Sequence, residues 1–553
     1  MLTIGIYSGN AEPAVTHRRP RIHLLCRLLA VFSLAGISAW AQAPAISSVL
    51  NLFDYSQTNL SPGVLVAIYG SNFGTSATAV TITVGGKPGY VVPNTVFPNQ
   101  INAEIPFELS SGPTSMIVSV NGTPSAAFPI TLAATAPSIP TVNSSGSGPG
   151  IFDSATATVL TSAAPAKPGD IVSAYVTGLG ATNPPTATSA TPKAGAAPVA
   201  TPTITVGGQN ATIKLAVTTQ YPGTYQINFI IPDGVQGNAP IVLTAGGKSS
   251  GSQDPKNPIT IPLFGISYIE NNASFSAPGT TTPGTIVSVF GNGFGTTSQT
   301  TGFPSTSFQG VSVSFNGTPA PLFHLVNTPP NTTKAPFSIG ASQIDLLVPY
   351  ELPYTGTVQV VLKTASQTSP NYALTMAAAT PGMYYIQDPS TTTRTNILAQ
   401  FNNTAWLNMP ASMATALQNL PGSSFPGLCQ ASFSALSQCG QPAKPGDVLV
   451  LYGTGLGLAT PNGDPNGKPL TTGNLAPADG SVLYETVVTP TITVGGLPAK
   501  VLFSGITPGL TGEYQIDFQV PDGITGDDVP VVFSMGSSPT DTRTMSIQIP
   551  AST

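Results

Sequence analysis

The chain has 553 residues, only 7% of them charged, and a formal net charge of −5. An average soluble protein carries about 25% charged residues, so this surface must be built from Thr, Ser, Asn, Gln and backbone, and its few scattered lysines cannot form the clustered basic face that nucleic acid requires. With 57 Gly and 56 Pro the chain stays below the level that signals disorder, and 41% apolar residues suffice for several modest cores.

The N-terminus carries Arg18, Arg19, Arg21 and Arg27, then an apolar stretch from Leu28 to Ile37, then Ala39-Trp40-Ala41 before Gln42. Basic, apolar and small-x-small in that order predict a secretory signal peptide over 1–41, too short in its apolar part to span a bilayer; a buried core helix is the alternative. Cys26 precedes the apolar core, whereas a lipoprotein cysteine would follow it. No later stretch is apolar over the length of a membrane span. The expected product is therefore soluble and outside the cytoplasm: extracellular, at the cell surface, or periplasmic. Beyond residue 41 there remain 13 basic and 21 acidic side chains, a net −8. Two cysteines also remain, Cys429 and Cys439, and an oxidising compartment predicts a disulfide between them, with two free thiols as the alternative. Such a short loop contributes about 2–3 kcal/mol by chain entropy.

Two signals then recur four times in order. The first is Pro-Gly, an apolar run, an aromatic and a closing Gly: Pro62 to Gly74, Pro168 to Gly180, Pro283 to Gly295, Pro445 to Gly457. Pro-Gly suits the centre of a type II turn, and the following run reads as a buried strand. The second is Gln-Ile-Asn/Asp followed by Pro: Gln100 to Pro106, Gln226 to Pro232, Gln343 to Pro349, Gln515 to Pro521. Between the two, a strand meets a tight turn, Gly85-Gly86, Gly207-Gly208, Asn316-Gly317 or Gly495-Gly496, of the kind that closes a β-hairpin. The Gln strand alternates, which places Ile101, Ala103 and Ile105, and their counterparts Ile227, Phe229, Ile231, Ile344, Leu346, Val348, Ile516, Phe518 and Val520, on the core face. A last alternating strand, such as Phe128 to Leu132, closes the unit. Units of more than a hundred residues suit self-contained domains rather than solenoid repeats, and short evenly spaced strands with almost no helical period predict an all-β chain of antiparallel sandwiches.

Tyr69-Gly-Ser-Asn-Phe-Gly74 and Phe290-Gly-Asn-Gly-Phe-Gly295 resemble the IPT/TIG class of immunoglobulin-like domains. The even repeats, with Lys-Pro-Gly-Asp, Thr-Gly-Leu-Gly, Ile-Thr-Val-Gly-Gly and Tyr-Gln-Ile-Asn/Asp, resemble the uncharacterised C-terminal β-sandwich domain of secreted acidobacterial proteins. The resemblance implies an extracellular sandwich module, and with it neither a catalytic residue nor a ligand. Odd and even repeats pair by motif, so the chain reads as a duplicated pair. The expected domains are 42–142, 148–263, 264–380 and 381–553, with the Ser/Gly-rich 143–148 as the first linker. The fourth carries an insertion, 388–441, that contains Trp406, a short helix pattern (Met413, Leu417, Leu420, between Pro410 and Pro421) and both cysteines. It is either a functional element or a disulfide-stapled cap over a strand edge or a domain junction.

Chemistry is sparse. His324 is the one histidine after residue 41, so any Ser-His-Asp scheme must use it, and an ordinary strand histidine is the plainer reading. Gly453-Thr454-Gly455-Leu456-Gly457 lacks the lysine and following helix of a phosphate loop. Asn462 to Gly467 matches the start of a calcium loop only in part, and Asp522, Asp527 and Asp528 form a denser acidic turn that could take calcium or simply be solvated. No catalytic residue, metal site or cofactor is assigned. The amides of the Gln strand read as hydrogen-bonding partners of neighbouring strands or loops, with a repeated ligand site as the alternative. The function expected is a secreted, non-catalytic rod of immunoglobulin-like domains that adheres to a cell surface or matrix through an extracellular polymer or protein. Two alternatives stand beside it: carbohydrate binding on Trp406, Tyr384 or Tyr385, and a hydrolase centred on the insertion.

Overall fold

A computed structural model describes residues 42–548, except 190, 252–253, 255, 277–278, 296–298, 301–302, 304, 331–337, 392, 431–437 and 539. The expected signal peptide, with Cys26, lies outside the described residues. The chain is all-β, with a single α-helix among the described residues, Ala411–Gln418. None of the described helices is long and apolar enough to cross a membrane.

Each repeat encloses a large apolar core between two antiparallel sheets. In repeat one, Ala45–Asn51, Leu65–Ser71, Gln100–Glu104 and Tyr90–Phe97 form one sheet, and Val80–Val84 pairs with Gly112–Val120 in the other. Ile68, Ile101 and Ala103 meet Ile82, Met116 and Val118 between them. Repeat three repeats this order with Gly265–Asn271, Ile286–Asn292, Ala341–Leu347 and Leu322–Thr328. In repeats two and four a ten-residue strand, Gln209–Thr218 or Leu497–Ile506, pairs with strands of both sheets and turns the corner through a bulge, at Ile213/Leu215 or Val501/Phe503. All twelve residues assigned to the core face of the Gln strands are at most 1% exposed. The hairpin turns have paired positive φ angles, such as +55° and +75° at Gly85 and Gly86 and +46° and +86° at Asn316 and Gly317, which is why Gly and Asn occupy them. The segment 143–148, expected as the first linker, is hydrogen-bonded to its surroundings. Thr260 N–H donates to the Gly148 carbonyl, Gly148 N–H donates to the Asn257 carbonyl, Gly146 N–H donates to Thr141 Oγ1, and a Cβ on Gly146 would sit 2.4 Å from the Asp54 carbonyl oxygen.

The odd and even repeats are joined by a contact that occurs twice. Thr177 Oγ1 donates to the Gly223 carbonyl (2.6 Å) and accepts from Leu65 N–H (3.2 Å); Thr454 Oγ1 likewise donates to the Gly512 carbonyl (2.6 Å) and accepts from Ile286 N–H (2.8 Å). Beside it, Thr188 gives its N–H and hydroxyl to the two carboxylate oxygens of Glu108, as Thr472 does to Glu351. Tyr225 OH reaches the Gly180 carbonyl and Tyr514 OH the Gly457 carbonyl. These contacts account for the Thr-Gly-Leu-Gly motif and for the Tyr before Gln, both confined to the even repeats.

The insertion in repeat four lies along a strand edge. Ala399–Phe401 pairs antiparallel with Leu449 to Leu451 of Val448–Thr454. The helix Ala411–Gln418 starts after Pro410 and buries Met413 and Ala414 in a small satellite core with Leu407 and Met409. Leu420, expected on its apolar face, is 45% exposed because the helix ends at Gln418. Cys429 and Cys439 are bonded, with Cα atoms 4.9 Å apart.

Candidate functional site

The outward face of the Gln strand carries the same constellation in every repeat. Alternation turns Gln100 and Asn102, Gln226 and Asn228, Gln343 and Asp345, and Gln515 and Asp517 away from the core. Each Gln amide donates to the side chain two residues on, at 2.9, 2.9, 2.7 and 2.8 Å. The expected partner was a neighbouring strand or loop; the shared one lies on the same strand, because residues i and i+2 share a face, and in repeat three Gln343 Nε2 also donates to Ser288 Oγ of the neighbouring strand at 3.3 Å. Directly opposite each Gln stands the aromatic of the first signal: Tyr69, Tyr175, Phe290 and Tyr452. In repeat three the row widens, for Tyr268 stacks on Phe290 with ring centroids 4.7 Å apart.

In repeat four the inserted strand and its turn make this face concave. Asn402 N–H donates to the Val448 carbonyl, Thr404 N–H donates to the Phe401 carbonyl, Asn403 takes a positive φ of 60°, and the turn lines a hollow together with Tyr452. The hollow holds about 400 Å³ and is lined mainly by Gln400, Asn402, Asn403, Thr404, Tyr452 and Gln515. No charged side chain lines it. Burial, and after it the carboxyls of Glu513 and Asp517, push the Tyr452 phenol up. Burial also raises Glu513 and Asp517 themselves, the latter against the hydrogen bond from Gln515.

The other candidates resolve as follows. His324 Nδ1 lies 3.6 Å from Asp345 Oδ2, while Ser288 Oγ and Gln343 Nε2 both donate to Asp345 Oδ1 at 2.7 Å. The carboxylate therefore stands between hydroxyl and imidazole. A serine nucleophile needs the imidazole in the middle to take its proton, so this order is not a catalytic triad. Asp522, Asp527 and Asp528 do not converge: Asp527 Oδ1 accepts from Ser546 Oγ at 2.7 Å, and Asp528 pairs with Arg394, which holds its carboxyl below the usual range. No group of three or more metal-ligating side chains occurs among the described residues. Asp464 Oδ1 caps its own turn through Asn466 N–H. Thr454 and the glycines around it serve the inter-repeat contact.

The aromatics expected as stacking platforms are occupied. Trp406 packs against the fourth core, burial drives the Tyr384 phenol upward, and Arg543 lies over the Tyr385 ring at 4.2 Å. An apolar ring next to an insertion is first used as core. Tyr452, which ends an apolar run, reaches the hollow together with Phe401, and its place opposite a recurrent Gln is the signal that marks it.

Residues 44–132 match the IPT/TIG domain family. No curated protein matches the chain. Similar solved structures include the full extracellular region of plexin A4 (12% identity, 92% of this chain and 30% of that one, TM-score 0.22). A surface glycan-binding protein from Prevotella bryantii has 13% identity over 53% of this chain and 54% of that one, TM-score 0.16. The surface glycan-binding protein of a Bacteroides ovatus mixed-linkage glucan utilization locus, solved with a mixed-linkage heptasaccharide, has 13% identity over 86% of this chain and 91% of that one, TM-score 0.15. The chain thus spans under a third of the plexin chain and about half of the Prevotella chain.

Proposed function

We propose that the chain is a secreted, non-catalytic interaction protein: four immunoglobulin-like domains, at 42–142, 148–263, 264–380 and 381–553, that adhere to a cell surface or matrix. The signal peptide is removed after Ala41. The observation that carries the reading is the outward sheet face of the Gln strand, displayed four times along one chain. Repetition of one outward, half-buried face suits contact with an extended partner, because several weak contacts add through effective concentration. Sequence and site supply supporting chemistry: few charges, a disulfide, and a histidine held by a carboxylate rather than beside a nucleophile. Purified residues 42–553 are expected to bind isolated cell-envelope fragments or extracellular matrix polymer, and to turn over no polysaccharide, ester or peptide substrate. Hydrolysis that disappears in His324→Ala, or on removal of 388–441, would replace this reading with the enzyme.

A further inference from the structure

Resting on that reading, we propose that the hollow above Tyr452 is a binding site for a neutral glycan chain. Three observations converge. The lining combines four carboxamides, a hydroxyl and a phenol ring with the apolar side chains of Phe401, Ala405 and Val450, a mixture that matches a polyhydroxylated ligand's need for paired donors and acceptors around an apolar C–H face. Its volume, about 400 Å³, falls at the small end of ligand pockets and suits a short stretch of sugar rings. The electrostatics disfavour acidic sugars: no Lys or Arg lines the hollow, and the charges that act on Tyr452 are the carboxyls of Glu513 and Asp517.

The insertion is what separates this site from its three counterparts. Tyr69, Tyr175 and Phe290 stand opposite the same Gln, but Ser48 of Ala45–Asn51 and Tyr268 of Gly265–Asn271 pair directly with Tyr69 and Phe290, and in repeat two Asp153–Ser154 pairs only with Ser173 and Val172 and its turn, Ala155 to Thr158, carries no carboxamide. In repeat four the pairing of Ala399–Phe401 carries the turn 402–405 to the Val448 end of the strand that bears Tyr452, and the exposed amides of Asn402 and Asn403 line one hollow with the ring. The ring supplies stacking, Gln400 and Gln515 form the floor, and the turn forms the wall. Glycan specificity on this chain is accordingly a property of repeat four.

The test is affinity electrophoresis of residues 42–553 in gels containing mixed-linkage β-glucan, xylan, galactomannan or polygalacturonate, alongside sedimentation with envelope fragments. Retardation by at least one neutral polymer and none by polygalacturonate is expected. Tyr452→Ala should weaken that binding by about tenfold or more, and Tyr175→Ala should leave it unchanged. Asn402→Leu, in an exposed turn, provides a second variant should Tyr452→Ala fail to fold. Absence of retardation by every neutral polymer, preference for polygalacturonate, or undiminished binding in both variants overturns the proposal. Envelope binding that persists without glycan retardation sinks the glycan site alone; loss of both sinks the adhesive reading as well.

Discussion

The junction between repeats one and two and the junction between repeats three and four share a plan and differ in one acceptor. At the first, Gly223 N–H donates to Glu104 Oε1 at 2.5 Å; at the second, Gly512 N–H donates to Tyr350 OH at 3.0 Å. Glu104 corresponds to Leu347, and Phe107 to Tyr350, by position after the Gln. The buried donor of the inner glycine must be satisfied in both, and the two copies satisfy it with different chemistry. One junction thereby holds a titratable group in its interior and the other a phenol that stays neutral, since burial pushes Tyr350 further up. The comparison predicts that one junction answers to pH and its duplicate does not.

The largest effect follows from Glu104. Burial pushes its carboxyl from 4.5 up to about 8, against the hydrogen bond from Gly223. Between these values the folded chain holds a proton that the unfolded chain releases. Through this group stability falls as pH rises from about 4.5 to about 8, by up to about 5 kcal/mol, and its contribution is flat outside that window. The double change Glu104→Leu with Phe107→Tyr copies the second junction into the first. Its gain in unfolding free energy over the parent should be near zero at pH 4.5 and several kcal/mol at pH 8, read from urea midpoints across that range. A gain independent of pH would mean that Glu104 does not titrate there.

Next comes Gly512→Val, expected to cost more than about 3 kcal/mol through positive φ and overpacking together. Its φ is +71°, and a Cβ would lie 2.6 Å from Leu347 Cδ1 and 2.8 Å from Ile286 Cγ1. Gly223, at +61° with Leu65 Cγ 2.8 Å away, should respond alike, and limited proteolysis should then cut between the paired repeats. Smaller again are Thr177→Val and Thr454→Val. Each strands one buried backbone carbonyl and one N–H, for about 2 kcal/mol by thermal unfolding, and equal losses are required if the two junctions are equivalent.

Local pattern made part of this legible. Period-two alternation identified the inner faces, and Gly-Gly and Asn-Gly located the hairpins, because both are decided within a few residues. The junctions are decided by residues far apart: Thr177 meets Leu65 across 112 positions and Gly223 across 46. Read locally, Thr-Gly-Leu-Gly is only a turn. Alternation also sets Glu104 on the outward face with Gln100 and Asn102, where it would be solvated, yet it is 0% exposed because repeat two covers it. The counterparts in the even repeats, Ile230 and Gln519, are half-buried and exposed, so position in the strand alone could not tell the two cases apart. The hollow was hidden for a related reason: Tyr452 closes an apolar run and reads as core until the insertion is placed beside it.

The smallest effect tests whether the duplication kept electrostatics wherever it kept residues. Glu108 and Glu351 lie on the rims of the two junctions. Partial burial works upward on each, but the paired hydrogen bonds from Thr188 and from Thr472 outweigh it and hold both carboxyls below 4.5. A lowered folded value has the opposite sign to Glu104: its stabilisation is present above 4.5 and lost as pH falls. Both side chains remain in contact with water, so the contribution should stay under about 1 kcal/mol. Glu108→Gln and Glu351→Gln should therefore cost little at pH 7 and nothing at pH 3, by matching amounts. Carboxyl titration by NMR supplies the sharper reading. Two lowered and similar midpoints at Glu108 and Glu351, beside a raised one at Glu104, would place the divergence of the junctions at a single buried acceptor; unequal midpoints would show that the two rims have diverged as well.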